Sequence, residues 1–373
     1  PQWRFDANRS ADSPEELPPD LHLQWSRAFP PRTQVWDDPL NHDLMPYDRV
    51  FEPVVLGPRM FLGFNDQDKV MALNIHTGRE LWTFYAGGPV RLPPVAGYGK
   101  VYFACDDGYL YCVQAADGAL VWKFRGGPSE RKVLGNSRLI SAWPARGGPV
   151  LRDGRVYFAA SIWPFMGTFI YALNALTGTV DWVNDGTGFQ YLKQPHSAPS
   201  FAGVAPQGPL TATRDFLLVP GGRSVPAGFD RKTGRFLYYQ LEDSGKGNGG
   251  SFVVANESEF FVHTRERGTR NHDLKTGKKG TFTVNEPVLT TNYLYSSEAH
   301  SSLQRAVVEA EQKVAAARQS VIDSQADIIR AEEEADSAAY KNATNALAKA
   351  RKRIITTERY VANARAALSN RWA

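Results

Sequence analysis

The sequence predicts an all-β propeller of four-stranded blades followed by an α-helical coiled-coil hairpin. Three observations support this fold. A short motif with a glycine and a later aromatic residue recurs along most of the chain, and its copies are separated by about forty residues or more, as propeller blades are. The composition changes abruptly near His300. The 373 residues are enough for one large repeat domain and an appendage.

The clearest repeat places a tryptophan four residues after a glycine. Residues 72–82 read ALNIHTGRELW, and residues 172–182 read ALNALTGTVDW. Looser copies follow the same template, and the last has the glycine without the aromatic residue. The motif positions are Gly78, Trp82, Gly118, Trp122, Gly178, Trp182, Gly234, Tyr238 and Gly277. Because glycine tolerates positive φ, we predict a hairpin turn at each one, with the aromatic ring on the outer strand and packed between neighbouring blades.

A second shared block precedes each motif and supplies the inner strands. Residues 94–104, PVAGYGKVYFA, align without gaps to residues 149–159, PVLRDGRVYFA. The same frame fits residues 53–63 and 209–219, and it opens a sixth copy at 287–295. Short β-branched and aromatic runs bounded by Gly, Asp and Pro are typical of strands. We therefore predict five full blades and a partial sixth in residues 50–298. The motif glycines are spaced by 40, 60, 56 and 43 residues, so the two long intervals contain insertions.

Residues 299–373 have the composition of long helices. No glycine follows Gly280 and no proline follows Pro287. Small or apolar residues recur in alternating steps of four and three from Leu303 to Ala335, and again from 343 to 368 in a shifted phase. The phase shift predicts a turn near 336–344 and an antiparallel hairpin inserted in or after the sixth blade. The first helix is mainly acidic and the second mainly basic, so we expect their charges to pair. The hairpin serves either as a spacer or as a docking arm.

The repeated motif resembles the PQQ-like repeats of quinoprotein dehydrogenases and of the bacterial outer-membrane assembly lipoprotein, over roughly Val50 to Glu298. The resemblance implies eight blades, with an N-terminal strand that closes the ring. Within residues 1–49, the candidate for this strand lies near 21–27. Because the sixth copy stops at Glu298, further blades are expected beyond this chain. The opening Pro1–Phe5 resembles the start of secreted bacterial proteins of this class, which implies a periplasmic or otherwise exported protein.

The resemblance leaves three functions open. We favour a non-catalytic scaffold; the alternatives are a PQQ-dependent quinoprotein oxidoreductase or its degenerate relative, and a polysaccharide-binding propeller. Dehydrogenases of the family hold PQQ with calcium, an acidic base and commonly an adjacent Cys-Cys disulfide. Here only Cys105 and Cys112 occur, and no Glu, Asn and Asp calcium set can be aligned. We therefore predict no cofactor and no catalytic or metal-binding residue, with PQQ and calcium only under the oxidoreductase alternative.

The two cysteines are separated by a turn-like Asp106–Gly108. A tight hairpin there would place Cys105 opposite Leu110 and Cys112 opposite Phe103, an arrangement that does not favour a disulfide.

One region could line a ligand site on the disc face. The connections 131–146 and 161–167 each contain a Trp-Pro pair. The candidate ligand-binding residues are Arg138, Trp143, Arg146 and Trp163. Guanidinium groups and indole rings suit an anionic or planar ligand, although the Trp-Pro pairs could instead cover a hydrophobic rim.

Charge and hydropathy limit the kinds of partner that we expect. The net charge of +4 is too small to give the strong positive field that nucleic-acid binding usually needs. The sequence contains no run of eighteen apolar residues, so it predicts no transmembrane segment. We expect a protein partner, bound through the disc face or the helical hairpin.

Overall fold

A computed structural model of the protein describes residues 1–30, 51–135, 138–161, 163–194, 197–222, 224–243, 249–250, 252–264, 268–284, 287–290, 293–296 and 300–369. The chain divides into two compact units, Pro1–Ser296 and Ser297–Ala373. The first unit is a series of small antiparallel sheets, and the second is a pair of helices.

Each of the five full repeats forms an antiparallel four-stranded meander, named here blades 1 to 5. Blade 1 contains β1 (Val54–Leu56), β2 (Arg59–Phe64), β3 (Lys69–Asn74) and β4 (Glu80–Tyr85). Blade 2 contains β5 (Val95–Gly97), β6 (Lys100–Ala104), β7 (Tyr109–Gln114) and β8 (Leu120–Arg125). A separate hairpin follows, with β9 (Lys132–Gly135) and β10 (Arg138–Ser141).

The remaining sheets repeat this plan. Blade 3 contains β11 (Gly147–Arg152), β12 (Arg155–Ala160), β13 (Phe169–Asn174) and β14 (Val180–Asn184). A second separate hairpin contains β15 (Gln190–Lys193) and β16 (Pro199–Ala202), and β17 (Gly208–Pro209) pairs in parallel with β11. Blade 4 contains β18 (Thr211–Ala212), β19 (Phe216–Gly221), β20 (Ser224–Asp230) and β21 (Phe236–Tyr238). Blade 5 contains β22 (Val253–Ala255), β23 (Glu259–Thr264), β24 (Gly268–Asp273) and β25 (Lys279–Val284). The sixth repeat begins with β26 (Val288–Leu289) and β27 (Leu294–Tyr295).

An aromatic ring on the outer strand of one blade lies over the motif glycine of the next. Trp82 of β4 covers Gly118, and the Trp82 Nε1 donates a hydrogen bond to the Ala115 carbonyl at 3.1 Å. In the same way, the Trp122 ring lies over Gly178, the Trp182 ring over Gly234 and the Tyr238 ring over Gly277. A Cβ on Gly118 would lie 2.7 Å from the Trp82 ring, and the backbone there has a φ of 77°. Only glycine therefore permits this contact without strain.

The N-terminal segment makes the same contact with blade 1. Residues 21–30 form no strand with any residue that the structure describes, but the Trp25 ring lies over Gly78. The Trp25 Nε1 donates to the Ile75 carbonyl at 2.6 Å, as the Trp82 indole does one blade further on. Blade 1 thus receives from the N-terminal segment the ring that blades 2 to 5 receive from the blade before.

The first eleven residues cross the innermost strands of five successive repeats, and we call Pro1–Ala11 the axial segment. The Gln2 side chain makes two hydrogen bonds with the backbone of Leu151, at 2.8 and 3.0 Å. Backbone amides of the other repeats donate to carbonyls of the segment, in the pairs Ala96 to Pro1 (2.9 Å), Ala212 to Ala7 (2.8 Å), Ala255 to Asn8 (3.0 Å) and Leu289 to Ser10 (2.9 Å). One short stretch of chain therefore holds the first strands of blades 2 to 5 and of the sixth repeat.

Arg9 is the buried centre of the axial segment. Its side chain is fully buried, and it donates hydrogen bonds to the backbone carbonyls of Trp3, Pro149 and Leu210 at 2.9 to 3.1 Å. Burial lowers the pKa of the guanidinium to about 10. Because Pro149 lies in β11 and Leu210 directly precedes β18, Arg9 joins the segment to the starts of blades 3 and 4.

The two cysteines are unbridged and buried. The register predicted between them is wrong by one residue, because the turn Asp106–Gly108 contains three residues. Cys112 pairs with Tyr102, and the Cys105 amide donates to the Tyr109 carbonyl. Burial raises the pKa of both thiols, that of Cys112 to about 12, which disfavours the reactive thiolate.

His272 stands in blade 5 at a position that is apolar in every other blade. The equivalent residues are Leu73, Val113, Leu173 and Phe229. His272 is fully buried, with its Nδ1 3.2 Å from the Gly277 carbonyl, and its Nε2 has no hydrogen-bond partner among the described residues. Burial is the main cause that lowers the pKa of this imidazole.

We predict that His272→Leu removes part of the acid sensitivity of the protein. Because the folded pKa lies below the ordinary value of 6.5, the native state holds the neutral ring. Its contribution is complete above pH 6.5 and is lost as the pH falls below that value. The variant should be more stable than the parent by about 1 kcal/mol near pH 5, and by less at higher pH. Urea unfolding across this range measures the difference. The exposed His76→Gln is the control, and a gain that does not depend on pH would contradict the prediction.

The second unit is an antiparallel helical hairpin, with α1 (His300–Glu333) and α2 (Ser337–Ser369). The turn lies at 334–336, earlier than the predicted 336–344. The reason is that Asp336 caps α2: its Oδ1 accepts hydrogen bonds from the amides of Ala338 and Ala339 at 2.9 Å. The buried residues between the helices are Ala310, Val314, Ala317, Ser324, Ala331, Ala343, Ala350 and Thr357.

The charges of the two helices pair less than expected. In the described part of the hairpin, two ion pairs join the helices, Arg365–Glu311 at 2.5 Å and Arg318–Glu358 at 2.9 Å. In the pair Arg318–Glu358, the basic residue lies on the mainly acidic helix α1, which is opposite to the expectation. Neither described helix has the length and hydrophobicity required to cross a bilayer.

Candidate functional site

Three long connections meet at one edge of blade 3. Strand pairing at this edge joins Gly147 to Ala159, Ala160 to Phe169 and Ile170 to Asn184. The start of β11, the end of β12, the start of β13 and the end of β14 therefore lie together. The connections that leave these strand ends are residues 131–146, 161–168 and 185–207. We call this edge the insertion edge.

Hydrogen bonds hold the three connections together. The Trp143 Nε1 donates to the Met166 carbonyl at 2.7 Å, which joins the first connection to the second. The Thr168 hydroxyl donates to the Val204 carbonyl at 2.6 Å, and the Val204 amide donates to the Thr187 carbonyl at 3.0 Å. The insertion edge is therefore a built surface, since its loops are fixed to one another.

Five exposed aromatic side chains cluster on these connections, and we call them the aromatic patch: Trp163, Phe165, Phe189, Tyr191 and Phe201. Each is between 51% and 71% exposed. Phe189 and Phe201 stack with ring centroids 4.4 Å apart, and Tyr191 packs against Phe201 at 5.2 Å. Trp163 and Phe165 are paired at 6.1 Å. Monomeric soluble proteins rarely expose clustered large apolar side chains unless the surface binds something.

Two glycines allow the backbones that carry the two halves of the patch to approach closely. A Cβ on Gly188 would lie 2.5 Å from the Pro164 carbonyl oxygen, and a Cβ on Gly203 would lie 2.2 Å from the Gly188 carbonyl oxygen. Larger residues would separate the loop of Trp163 from the hairpin β15–β16. The neighbouring hairpin β9–β10 adds an exposed cross-strand pair, Leu134 and Leu139.

The four residues proposed from the sequence occupy different environments. Trp163 is exposed within the aromatic patch, whereas Trp143 is buried beneath it. Arg138 makes two hydrogen bonds with the Asp68 carboxylate, at 2.6 and 3.1 Å, and so anchors the hairpin β9–β10 to blade 1. Arg146 is buried and paired with Asp106. Of the four, Trp163 alone presents a free surface, and the two guanidinium groups are engaged within the protein.

Asp106 is a buried carboxylate between two arginines. The Arg146 Nε and Nη2 lie 2.6 and 3.0 Å from its oxygens, and the Arg91 Nε lies at 2.6 Å. Burial alone would raise the pKa of Asp106, but the guanidinium groups of Arg146 and Arg91 lower it below the ordinary value. Arg146 directly precedes β11, and Asp106 lies in the turn that follows β6. Their ion pair therefore aligns blades 2 and 3 at the insertion edge.

The sequence offered a partial signal for the aromatic patch. The interval of 56 residues between Gly178 and Gly234 revealed an insertion, and Phe189 and Tyr191 stand two residues apart, as residues on one face of a strand do. Nothing local indicated that Phe201 would stack on Phe189, because that contact depends on the hairpin β15–β16.

The repeating meanders with their ring-over-glycine contacts define a protein built from PQQ-like propeller blades. The chain belongs to the family described as outer membrane protein assembly factor BamB, whose model matches residues 27–143 and, in a second match, residues 68–320.

The similar proteins with a name share little sequence identity with this chain. The chain is 24% identical over 238 residues to a tetrathionate hydrolase of Acidithiobacillus ferrooxidans, which covers 60% of this chain and 44% of that protein. It is 30% identical over 142 residues to the dehydrogenase subunit of the alcohol dehydrogenase (quinone) of Gluconobacter oxydans, 35% of this chain and 18% of that subunit. BamB from Moraxella catarrhalis superposes with a TM-score of 0.41 at 14% identity, over 65% of this chain and 79% of that one. The chain thus spans less than half the length of these two curated relatives.

The described residues contain no cluster of the common metal-binding side chains. Within them, no three His, Cys, Asp or Glu side chains are placed to hold one metal ion. The two cysteines are separate and buried, and the axial segment already takes backbone hydrogen bonds along the innermost strands.

Proposed function

We propose that the protein is a non-catalytic, exported scaffold that binds a protein partner through the aromatic patch. The observation that carries this proposal is the patch itself, five exposed aromatic rings on loops that hydrogen bonds hold in place. Aromatic side chains dominate the binding energy of protein interfaces, and a rigid support lowers the entropy lost on binding. The family description, an outer-membrane assembly factor, supports both the partner class and the export.

Removing the stacked pair should weaken partner binding strongly without unfolding the protein. We expect Phe189→Ser combined with Phe201→Ser to reduce the recovery of a co-purifying partner at least about tenfold, because hot-spot aromatics are each worth about 2 kcal/mol or more. Quantitative capture from the exported fraction of the source cells measures this. Leu176→Ser is the matched control, since Leu176 is 53% exposed in the turn at the opposite edge of blade 3. Equal recovery with both variants would contradict the proposal.

A quinoprotein oxidoreductase is the second candidate, favoured by the match to the alcohol dehydrogenase (quinone) subunit. Its test is reconstitution with PQQ and calcium, followed by a dye-linked assay of alcohol oxidation. Turnover in that assay would replace the scaffold proposal.

A polysaccharide-binding propeller is the third candidate, since exposed aromatic rings also stack on sugars. Affinity electrophoresis in polysaccharide gels tests it. Retardation of the parent protein that the Phe189 and Phe201 variant loses would favour this function.

We also propose that a segment near residues 21–27 closes the ring as the outer strand of the blade that precedes blade 1. The support is that Trp25 lies over Gly78 and donates to the Ile75 carbonyl, the geometry of Trp82 on Gly118. The sixth repeat, opened by β26 and β27, stands at the other end of the series. We propose that this ring has eight blades, the number that is usual in the family.

A further inference from the structure

The helical hairpin carries an open groove along one of its two flanks. The groove has a volume of about 540 Å³, and its apolar lining is Val314, Ala315, Ile322 and Val361. The two interhelical ion pairs, Glu311–Arg365 and Arg318–Glu358, also line it. These pairs are one heptad apart on each helix and so establish the register between α1 and α2.

The register places apolar residues opposite one another, between the two charged pairs and beyond them towards the turn. Halfway between the two ion pairs, Ala315 faces Val361. One heptad towards the turn, the same register sets Ile322 opposite Ile354 and, one heptad further, Ile329 opposite Leu347. The groove and its continuation towards the turn therefore form an apolar ladder crossed by two charged pairs, the kind of surface on which a third helix packs.

The α1 side of the ladder is left uncovered within the hairpin. Val308, Ile322 and Ile329 are 50%, 57% and 57% exposed, and with Ala315 they recur every seven residues. An exposed heptad stripe of β-branched residues costs hydrophobic free energy unless another helix covers it.

The opposite flank of the hairpin has no such stripe. At the equivalent positions, α1 carries exposed Lys313, Asp323 and Asp327, and α2 carries exposed Lys349 and Arg353. The two flanks of one hairpin thus differ in character, and only the groove flank suits an apolar partner.

The charge of α2 indicates the kind of helix that would fit. Ser337–Ser369 contains seven Lys and Arg residues and one Glu, and that Glu is paired with Arg318. Arg365 is paired with Glu311, and within the described hairpin the other six cations of α2 make no ion pair: Lys341, Lys349, Arg351, Lys352, Arg353 and Arg359. Arg351 lies on the groove flank itself, one heptad beyond Glu358.

We propose that this groove binds an acidic amphipathic helix of a partner protein, with its apolar heptad stripe against Ala315, Ile322 and Ile329. Its carboxylates lie towards those cations of α2 that are not on the opposite flank, Lys341, Arg351, Lys352 and Arg359. The inference rests on the proposed scaffold function and adds a second docking surface to it. The aromatic patch and the groove are tested with different variants, so each proposal can fail alone.

Binding of designed helices to the whole 373-residue chain tests the proposal. The probe is a synthetic peptide of four heptads with leucine at the two core positions and glutamate at the flanks, and the comparison peptide has lysine at the flanks. We expect the glutamate peptide to bind at least about tenfold more tightly, measured by fluorescence anisotropy, and to weaken as salt is raised. Ile322→Glu should abolish binding. The matched control is Ala316→Glu, an exposed position outside the groove on the same helix, which should bind as the parent does.

Three results would overturn the proposal. The first is equal affinity for the two peptides, and the second is unchanged binding by Ile322→Glu, with helix content verified by circular dichroism. The third comes from sedimentation velocity: a parent dimer that Ile322→Glu converts to monomer would mean that a second copy of this chain covers the groove. The Phe189 and Phe201 variant should bind the glutamate peptide normally, so its loss of partner would concern the scaffold proposal alone.

Discussion

Replacing Gly118 with alanine is expected to lower the free energy of unfolding by about 3 kcal/mol, since two penalties add. The residue has a φ of 77°, where a Cβ strains the backbone, and that Cβ would stand 2.7 Å from the Trp82 ring. The ring cannot retreat without giving up its hydrogen bond to Ala115 and its place between blades 1 and 2.

Gly99→Ala separates the two penalties. Gly99 lies in the same blade with a φ of 70°, and a Cβ there would meet nothing within 4 Å. Gly99→Ala should lower the free energy of unfolding by about 1 kcal/mol, because it pays the backbone penalty alone. Urea unfolding measures both variants. In a double-mutant cycle, Trp82→Ala should abolish most of the additional cost of Gly118→Ala. Equal costs for the two glycines would mean that the ring does not hold the blades together.

Asp106→Asn is the second substitution with a large expected effect, a loss of about 4 kcal/mol. It removes the negative charge between the buried guanidinium groups of Arg146 and Arg91, and buried cations are costly without a counter-charge. The insertion edge should loosen as well, because Arg146 directly precedes β11. Thermal and urea unfolding measure the loss.

Asp68→Asn is the matched control for this substitution. Asp68 pairs with Arg138 at the same 2.6 Å, but both side chains are about one third exposed. Solvent screening should reduce its cost to about 1 kcal/mol or less. A cost as large as that of Asp106→Asn would show that burial does not distinguish the two pairs.

The acid limb of stability gives an independent check on Asp106. Because its folded pKa lies below the ordinary 3.8, its contribution is complete above pH 3.8 and is lost as the pH falls through the folded value. The Asn variant lacks this loss. The parent and Asp106→Asn should therefore converge in stability at the most acidic pH, and parallel curves would contradict the assignment.

The repeat pattern of the first unit could be predicted from local sequence. Each Thr-Gly or Asp-Gly step requires a turn whatever its surroundings, and the glycine spacing separates complete blades from insertions. The structure follows this plan, with positive φ at all five motif glycines, from Gly78 to Gly277. The cysteine register shows the limit, because one extra residue in the turn at Asp106–Gly108 shifts every cross-strand pair by one.

The candidate site could not be predicted to the same extent. Arg138 and Arg146 were sensible ligand residues by type, but their partners Asp68 and Asp106 lie 70 and 40 residues away in sequence. Whether an arginine is free depends on such distant neighbours. Trp163 was the one member of the aromatic patch found from the sequence. The other four rings were missed for the same reason, since the stacking of Phe189 on Phe201 requires the intervening hairpin to fold.

The sequence by itself determined the repeating blade, its turns, the positions of the insertions and the two amphipathic helices, because these depend on residues close along the chain. Only the tertiary structure decided that the axial segment crosses five repeats, that Trp25 takes the place of a blade's outer tryptophan, and that the rings at the insertion edge remain exposed while Trp143 is buried. Those outcomes depend on which surfaces meet after the chain has folded back, and burial and pairing are properties of the neighbours that folding supplies.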